Sequence, residues 1–259
     1  MADQADRRAR EAGAWPIFVV SLADAYARRE NIRAQLQEFG LTAEITDAVD
    51  GRQGLSAESE ALIDREGAAA RVGRRVSGAE FACALSHQKL YQTIIDRGLA
   101  GAIILEDDAI LTKGFAEFVA GSGFLSADLV QLDHLDARIW PKERKIFAPG
   151  LTFFRLAENA GLTTGYSISA KAAGYILEHS RPLAGLADWP CDVMPLSPLV
   201  TLPRIVDHPD IVVSDSALER ERDASRKSAA SSASPRALRF FRTKYWRRWW
   251  LKRRTKKIS

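Results

Sequence analysis

The stretch from Gly101 to Leu111 places three adjacent carboxylates between two apolar runs. Residues 102–105 are apolar enough for a buried strand, whereas Glu106, Asp107 and Asp108 repel one another and do not enter a core without partners. The strand must therefore end where these side chains reach solvent or a ligand, and in an open α/β sheet ligands bind at the carboxyl ends of strands. A Mg²⁺ or Mn²⁺ ion prefers such oxygen ligands, so the triplet is interpreted either as a metal site or as a solvated turn.

A β-α-β pattern near the start predicts the fold class. Residues 17–22 form an apolar run of strand length, residues 25–39 predict a helix that Asp24 caps and Gly40 ends, and residues 41–49 predict a second strand. Such a unit builds a parallel sheet, so we expect an α/β fold. Further elements are expected as an irregular or partly helical excursion at 52–76, helices at 113–119 and 170–179, strands at 129–132 and 199–206, and a hairpin at 145–156.

A second predicted helix comes before the acidic strand. Ser77 and Glu80 form a capping box, and the helix is expected to run to about Asp96. Cys83 and His87 lie one turn apart on it, but a structural zinc site needs four ligands and no second pair is spaced to supply them. His87 is therefore interpreted as a half-buried residue or as one that points into a site.

Charge divides the chain into an acidic body and a basic tail. Residues 236–259 hold eleven of the 37 Lys and Arg and no acid, which leaves 26 basic against 33 acidic side chains in residues 1–235. Six aromatic side chains are interleaved with the basic ones. We predict a disordered segment at 1–14, one domain at 15–223, a flexible Ser/Ala-rich linker at 224–235 and a basic aromatic amphipathic tail at 236–259.

The tail is typical of a helix that lies on a membrane surface. Basic side chains attract anionic lipid by ~1 kcal/mol each, and Trp is favoured at the headgroup level. Nucleic acid is a competing partner for a basic aromatic segment, but the acidic body argues against it as the main function. No stretch approaches the ~20 apolar residues of a membrane span. The side chains expected to insert are Phe241, Tyr245, Trp246, Trp249 and Trp250.

Six short motifs occur in order between residues 16 and 220. They are Ile17–Leu22 with the Arg28-Arg29 pair, Asp47–Arg52, Gly78–His87, Ile103–Asp108, Gly165–Ser169 and Leu186–Trp189. In this order and spacing they resemble glycosyltransferase family 25, the lipooligosaccharide and lipopolysaccharide galactosyltransferases and their relatives. Three positions depart from the family pattern: Ser21 where many members have Asn, Ala187 where Val is commoner, and the region of Asp207 and His208 where Gln is usual.

The resemblance implies a GT-A-like nucleotide-sugar-binding fold, with a mixed or parallel sheet flanked by helices. It also implies a UDP-galactose or UDP-glucose donor, Mn²⁺ or Mg²⁺ as cofactor, inversion at the anomeric carbon, and a lipid-linked lipopolysaccharide-type glycan as acceptor. Asp108 is the expected metal ligand, with Glu106 as a ligand or bound to the ribose or a metal-bound water, and His208 as the remaining ligand. The expected donor-binding residues are Ser21, Leu22, Arg28, Arg29, His87, Glu106 and Asp107.

Inversion by single displacement needs a base for the acceptor hydroxyl. Asp188 is the candidate, because its neighbour Trp189 can raise its basicity and stack on a sugar; Asp192 is the second choice, and a surface turn is the alternative. The enzyme is expected to be cytoplasmic and peripheral on the inner face of the membrane, where a lipid-linked acceptor lies.

Two other functions remain open. A metal-dependent phosphohydrolase would use the same carboxylates, although Glu106 stands where that chemistry favours Asp. A catalytically inactive module that binds a membrane or a partner would keep the core and the tail but would show no metal-dependent UDP binding.

Overall fold

The computed structural model describes residues 15–209 and 243–258, and for residues 243–248 it defines the helix but not the side chains. The predictions for residues 1–14, for the linker 224–235 and for Phe241 lie outside the described residues, as do those for the side chains of Tyr245 and Trp246. The strands are β1 (Ile17–Ser21), β2 (Glu44–Asp47), β3 (Gly101–Glu106), β4 (Ile110–Leu111), β5 (Leu129–Gln131), β6 (Arg138–Ala148), β7 (Leu151–Leu156), β8 (Gly165–Ser169), β9 (Leu199–Leu202), β10 (Val206–Asp207) and β11 (Lys256–Lys257). The helices are α1 (Tyr26–Glu38), α2 (Ala57–Glu60), α3 (Arg65–Val72), α4 (Gly78–Asp96), α5 (Lys113–Ala120), α6 (Ala170–His179) and α7 (Thr243–Arg254).

Nine of the described strands form one mixed sheet in the order β11-β6-β7-β9-β5-β8-β3-β1-β2. β1 is parallel to both β2 and β3, and β5 is parallel to β9. β8 lies antiparallel between β3 and β5, so these two strands run in the same direction and end at the same edge of the sheet. The α/β class, the mixed sheet with flanking helices and the β-α-β unit are confirmed.

The sheet has a hydrophobic core on each face, because the side chains of β3 alternate between them. Ile103 and Leu105 pack with α1 and α5 in one cluster, whereas Ala102 and Ile104 pack with α4 and α6 in another. All four side chains are fully buried. The strand before the acidic triplet is therefore central and covered on both sides, which fixes the position of the residues that follow it.

The helix starts agree with the sequence at one position and differ at another. The capping box at the start of α4 forms, with Ser77 Oγ accepting from the Glu80 amide and Glu80 Oε2 accepting from the Ser77 amide. The prediction that Asp24 caps α1 is wrong, since the N-cap is Ala25 without a side-chain bond. The Asp24 carboxylate instead accepts from Arg52 Nη2 at 2.9 Å.

The C-terminal segment joins the main sheet. β11 pairs antiparallel with the start of β6, and Leu251 and Ile258 are buried. Trp250 packs edge-on against Trp140, with 5.6 Å between ring centroids. Trp249 and Trp250 are nevertheless 40% and 42% exposed. Among the described residues, no helix has both the length and the apolar character needed to span a bilayer.

The predicted strand at 199–206 divides in two. β9 ends at Leu202, immediately before Pro203, which has no amide hydrogen to continue a ladder. The chain then turns, and β10 pairs antiparallel with β4, the short strand that follows the acidic triplet. This second pairing brings residues 206–208 to the edge where β3 ends.

Candidate functional site

The candidate site lies at the sheet edge where β1, β3 and β5 end and β8 begins. Val20 of β1 pairs with Glu106 of β3, so the residues after these two strands are neighbours. The amide of Glu106 donates to the carbonyl of Thr164, just before β8. Three adjacent strands thus deliver polar side chains to one place.

Asp107 is held by residues from β1 and α1. Ser21 Oγ donates to Asp107 Oδ2 at 2.7 Å, and Arg28 Nη1 donates to Oδ1 at 3.3 Å. Asp107 is buried, whereas the Arg28 side chain is 57% exposed. Arg28 therefore connects a buried carboxylate with the solvent side of the edge.

Arg29 has a different role from its neighbour. Its guanidinium donates to the hydroxyl and carbonyl of Ser21, to the carbonyl of Leu22 and to the Asp47 carboxylate. These bonds fix the chain just after β1 and join it to the end of β2. Of the two arginines, Arg28 is the one with an exposed guanidinium near the acidic triplet.

Glu106 is linked to a buried chain of hydrogen bonds. Its Oε1 lies 3.3 Å from His87 Nε2 and accepts from Thr163 Oγ1 at 3.0 Å. His87 Nδ1 lies 2.7 Å from the Tyr166 hydroxyl, which lies 2.9 Å from the Tyr91 hydroxyl. Because a carboxylate only accepts, His87 Nε2 carries the proton and Nδ1 accepts from Tyr166. His87 is 2% exposed and faces the site, as one of its two interpretations proposed.

Asp108 is half-buried beside two other carboxylates. Burial, together with the charges of Glu106 and Asp107, raises the pKa of Asp108 to about 6, and Arg28 opposes this shift. The charged form of Asp108 is therefore less favourable than that of a solvent-exposed aspartate.

The two candidate bases lie on the segment that follows α6. Asp188 is exposed, and its carboxylate lies beside Gly161, where an added methyl group would be 3.7 Å from Oδ2. The predicted stacking of Trp189 on a sugar is wrong for this structure, because Trp189 is 3% exposed and packs edge-on against Tyr166 at 5.3 Å. Asp192 Oδ1 accepts from the Met194 amide, which gives this second choice a structural role in a turn.

His208, the proposed remaining metal ligand, lies in a second cluster of charged groups. Its Nδ1 is 2.8 Å from Asp133 Oδ2 and 3.7 Å from Asp207 Oδ1. Arg204 lies 3.8 Å from Asp133 and 3.4 Å from Asp207. Burial raises the pKa of Asp133, while His208, Thr164 and Arg204 lower it.

Within the described part of the chain, two sets of side chains bring three potential metal ligands within 4.8 Å of one another. One set is Cys83, His87 and Glu106, and the other is Asp133, Asp207 and His208. Asp108 belongs to neither set, so its assignment as a metal ligand remains a prediction. Direct hydrogen bonds join five of the expected donor-binding residues: Ser21, Leu22, Arg28, Arg29 and Asp107. His87 and Glu106 contact each other, and they connect to the other five because Glu106 precedes Asp107 in the chain.

Sequence reasoning missed Asp133, Thr163 and Tyr166 as parts of the site. Asp133 follows β5 as the triplet follows β3, so the rule that identified the triplet could also have identified Asp133. Thr163 and Tyr166 were not distinguishable by pattern, because their roles depend on β8 lying antiparallel beside β3.

The family model described as glycosyltransferase family 25 (LPS biosynthesis protein) matches residues 14–194, well over half of the chain. The chain belongs to glycosyltransferase family 25. The match includes α4, the acidic triplet and Asp188, and it ends before β9 and β10, so His208 lies outside it.

Individual relatives are bacterial and mammalian. The chain is 29% identical over 184 residues to the lacto-N-neotetraose biosynthesis glycosyltransferase LgtB of Neisseria gonorrhoeae, covering 68% of this chain and 64% of the relative. It is 28% identical over 171 residues to the lipooligosaccharide biosynthesis protein lic2B of Haemophilus influenzae, covering 62% of each. It is 27% identical over 180 residues to the probable inactive glycosyltransferase 25 family member 3 of Rattus norvegicus, covering 64% of this chain and 30% of the relative. The matched region thus spans less than two thirds of each of these relatives.

Proposed function

We propose that this chain is a metal-dependent inverting glycosyltransferase. It transfers a hexose, galactose or glucose, from a UDP-sugar to a lipid-linked lipopolysaccharide- or lipooligosaccharide-type glycan. The observation that carries the proposal is the acidic triplet at one sheet edge, where Arg28 pairs with Asp107, His87 contacts Glu106 and Asp108 is half-buried beside them. Membership of family 25 supports the reaction class, and the likeness to the biosynthesis proteins LgtB and lic2B supports the acceptor class.

The donor set fits a hard divalent cation. Glu106 ends β3 and Asp107 and Asp108 follow it directly, and burial together with the charges of Glu106 and Asp107 raises the pKa of Asp108 to about 6. Asp108 would hold Mn²⁺ or Mg²⁺, with Glu106 and His208 as further ligands. When bound, such an ion stabilises the charge that grows on a departing diphosphate.

Arg28 is the side chain best placed to bind the donor phosphates. Its exposed guanidinium reaches Asp107, and a second anion on its solvent side would form a charge-assisted bond. Arg29 supports this arrangement indirectly by fixing Ser21 and Leu22. We therefore assign donor contact to Arg28 and loop positioning to Arg29.

Asp188 would take the proton from the acceptor hydroxyl. It is exposed, and the buried Trp189 beside it anchors the segment, donating from Nε1 to the Ala160 carbonyl at 3.0 Å. An acid on an anchored, solvent-facing turn is accessible to an incoming sugar. The backbone of Trp189 has a φ of 61°, in the left-handed region, so the turn has a defined shape.

The end of the tail would bring the enzyme to an anionic membrane surface. Trp249 and Trp250 are partly exposed, and Arg253 and Arg254 lie over their rings at 4.0 Å and 4.7 Å from the centroids. Aromatic rings beside cations suit the headgroup level of a bilayer. Since β11 joins the sheet, this helix is attached to the domain at a fixed edge.

A titration with UDP tests the metal site. UDP binding to the full chain is measured calorimetrically with and without Mn²⁺, for the wild type, Asp108→Ala and the exposed control Asp96→Asn. We expect Mn²⁺ to strengthen UDP binding, and Asp108→Ala to weaken the Mn²⁺-dependent binding by about tenfold or more, with the control unchanged. UDP binding that ignores both the metal and Asp108→Ala would refute the metal-site assignment.

Transfer assays test the base. Asp188→Asn should bind UDP and Mn²⁺ like the wild type but should reduce hexose transfer by about 10²- to 10⁴-fold. Asp192→Asn serves as the comparison and should retain most transfer, because its carboxylate caps a turn. Full transfer by Asp188→Asn would remove this residue as the base.

Vesicle binding tests the membrane contact. Trp249→Ala together with Arg253→Ala should weaken binding to phosphatidylserine-containing vesicles and leave UDP binding unchanged. These substitutions leave Leu251, Ile258 and β11 in place, so they spare the contact with the sheet. Equal vesicle binding by the variant and the wild type would refute the membrane role.

An inactive binding module is the second candidate function, favoured by the likeness to the probable inactive family member of Rattus norvegicus. It predicts a folded chain with intact vesicle binding, no Mn²⁺-dependent UDP binding and no transfer. The same calorimetric and transfer assays distinguish the two candidates.

A further inference from the structure

Asp133 is a fully buried carboxylate that the proposed chemistry does not use. It follows β5 at the same sheet edge as the acidic triplet, and its relative exposure is 0%. Its Oδ1 is buried without a hydrogen-bond partner among the described residues, and Arg204 Nη1 lies 3.8 Å from it. A buried carboxylate is unfavourable unless nearby groups compensate its charge, and the main group that does so here is His208. The reason for this buried pair therefore needs an explanation.

The bond to His208 selects one form of the imidazole. His208 Nδ1 lies 2.8 Å from Asp133 Oδ2, and an ionised carboxylate only accepts hydrogen bonds. Nδ1 therefore carries the proton, which leaves the lone pair of a neutral ring on Nε2. A histidine held in this way by a carboxylate is oriented as a metal ligand through its other nitrogen.

The strand pairings place this dyad beside the triplet. Asp207 of β10 pairs with Ile110 of β4, so His208 continues toward the residues that directly follow Asp108. β10 packs closely against β8: Val206 lies so near Gly165 that an added Cβ on this glycine would be 2.9 Å from the Val206 side chain. The amide of Val206 donates to the Leu132 carbonyl, just before Asp133.

We propose that Asp133 is a positioning residue that fixes His208, through the Nδ1–H···Oδ2 bond, as a ligand of the divalent ion at the Asp108 edge. This inference rests on the metal dependence proposed above. It assigns a role to a buried acid that follows β5, a different strand from the one that carries the triplet.

A purely structural charge cluster is the competing explanation. Arg204 lies near both Asp133 and Asp207, so these groups could simply neutralise one another. The two explanations differ in what His208 does. In a charge cluster, loss of Asp133 changes stability, whereas in a positioning role it changes metal affinity only while His208 is present.

The test is a calorimetric titration of Mn²⁺ into the full chain saturated with UDP. Asp133→Leu keeps the branched shape of the side chain but cannot accept a hydrogen bond, and we expect it to lower Mn²⁺ affinity by about 10- to 100-fold. Asp133→Asn keeps an acceptor oxygen and should restore most of that loss. Asp207→Asn is the matched control: it removes the same charge 3.7 Å from Nδ1 but keeps the oxygen that accepts from the His208 amide, and under this proposal, in which Asp207 is not a ligand, it should change affinity much less.

A double-mutant cycle completes the experiment. His208→Ala should lower Mn²⁺ affinity, and adding Asp133→Leu to it should cause no further loss. Additive losses, equal losses in Asp133→Leu and Asp207→Asn, or unchanged affinity in Asp133→Leu would each overturn the positioning role while leaving the metal site intact. Wild-type UDP binding that is independent of Mn²⁺ would overturn the proposed metal dependence and this inference with it.

Discussion

Replacing Tyr166 with phenylalanine removes the central hydroxyl of the buried chain that leads to Glu106. That hydroxyl contacts His87 Nδ1 at 2.7 Å and the Tyr91 hydroxyl at 2.9 Å, and all three side chains are at most 2% exposed. Each net hydrogen bond contributes ~1 kcal/mol, so the loss of two predicts a destabilisation of about 2 kcal/mol. For a chain of this size that corresponds to a fall in Tm of about 4–8 °C.

Tyr91→Phe is the matched control, because it removes only the bond between the two tyrosines. Its expected cost is about 1 kcal/mol. The double variant should cost about 2 kcal/mol, less than the sum of the single variants, since both remove the same bond. Urea denaturation followed by far-ultraviolet circular dichroism gives the free energy of unfolding for each protein.

Strict additivity of Tyr91→Phe and Tyr166→Phe would refute the shared hydrogen bond. A Tyr166→Phe variant as stable as the wild type would refute the chain as a whole. In that case the position of His87 would depend on packing and on its contact with Glu106, and not on the tyrosine hydroxyls.

Two further predictions concern buried titratable groups. Burial lowers the pKa of His134 from 6.5 to about 4. As the pH falls below about 6.5, the unfolded chain binds a proton that the folded chain does not, so the free energy of unfolding should drop by on the order of 2 kcal/mol at pH 5. His134→Gln should remove this pH dependence in urea denaturation, and an unchanged pH profile in the variant would contradict the prediction. Burial raises the pKa of the Cys191 thiol to about 11, so a thiol reagent at pH 8 should modify the half-buried Cys83 first and Cys191 only on unfolding. The fast phase of modification is therefore assigned to Cys83, and its persistence in Cys83→Ser would contradict this assignment.

The elements that the sequence predicts well are those set by local chemistry. The Ser77–Glu80 capping box, the continuous apolar run of β3 and the β-α-β unit each depend on residues close in the chain, and each appears where expected. The failed prediction for Asp24 is instructive. Its carboxylate reaches Arg52, a partner 28 residues away whose position no local pattern reveals.

The candidate site shows the same division. The triplet was recognisable because an apolar strand and three acids are adjacent in sequence. The roles within it depend on non-local partners: Ser21 and Arg28 for Asp107, and His87 for Glu106. Sequence reasoning could group these residues through the family resemblance, but only the fold separates the paired carboxylates from Asp108.

The division between β9 and β10 decides whether His208 reaches the site. A strand that continued unbroken from Leu199 to Val206 would keep following β7 in the main sheet, with which β9 pairs antiparallel. Because Pro203 cannot extend the ladder, the chain leaves the sheet, and β10 pairs instead with β4 directly after the triplet. The same turn lets Ile205 donate to the Leu132 carbonyl at 3.1 Å, which brings Asp133 and His208 together. The break in the strand is therefore what brings His208 to Asp133, the contact on which its proposed metal role depends.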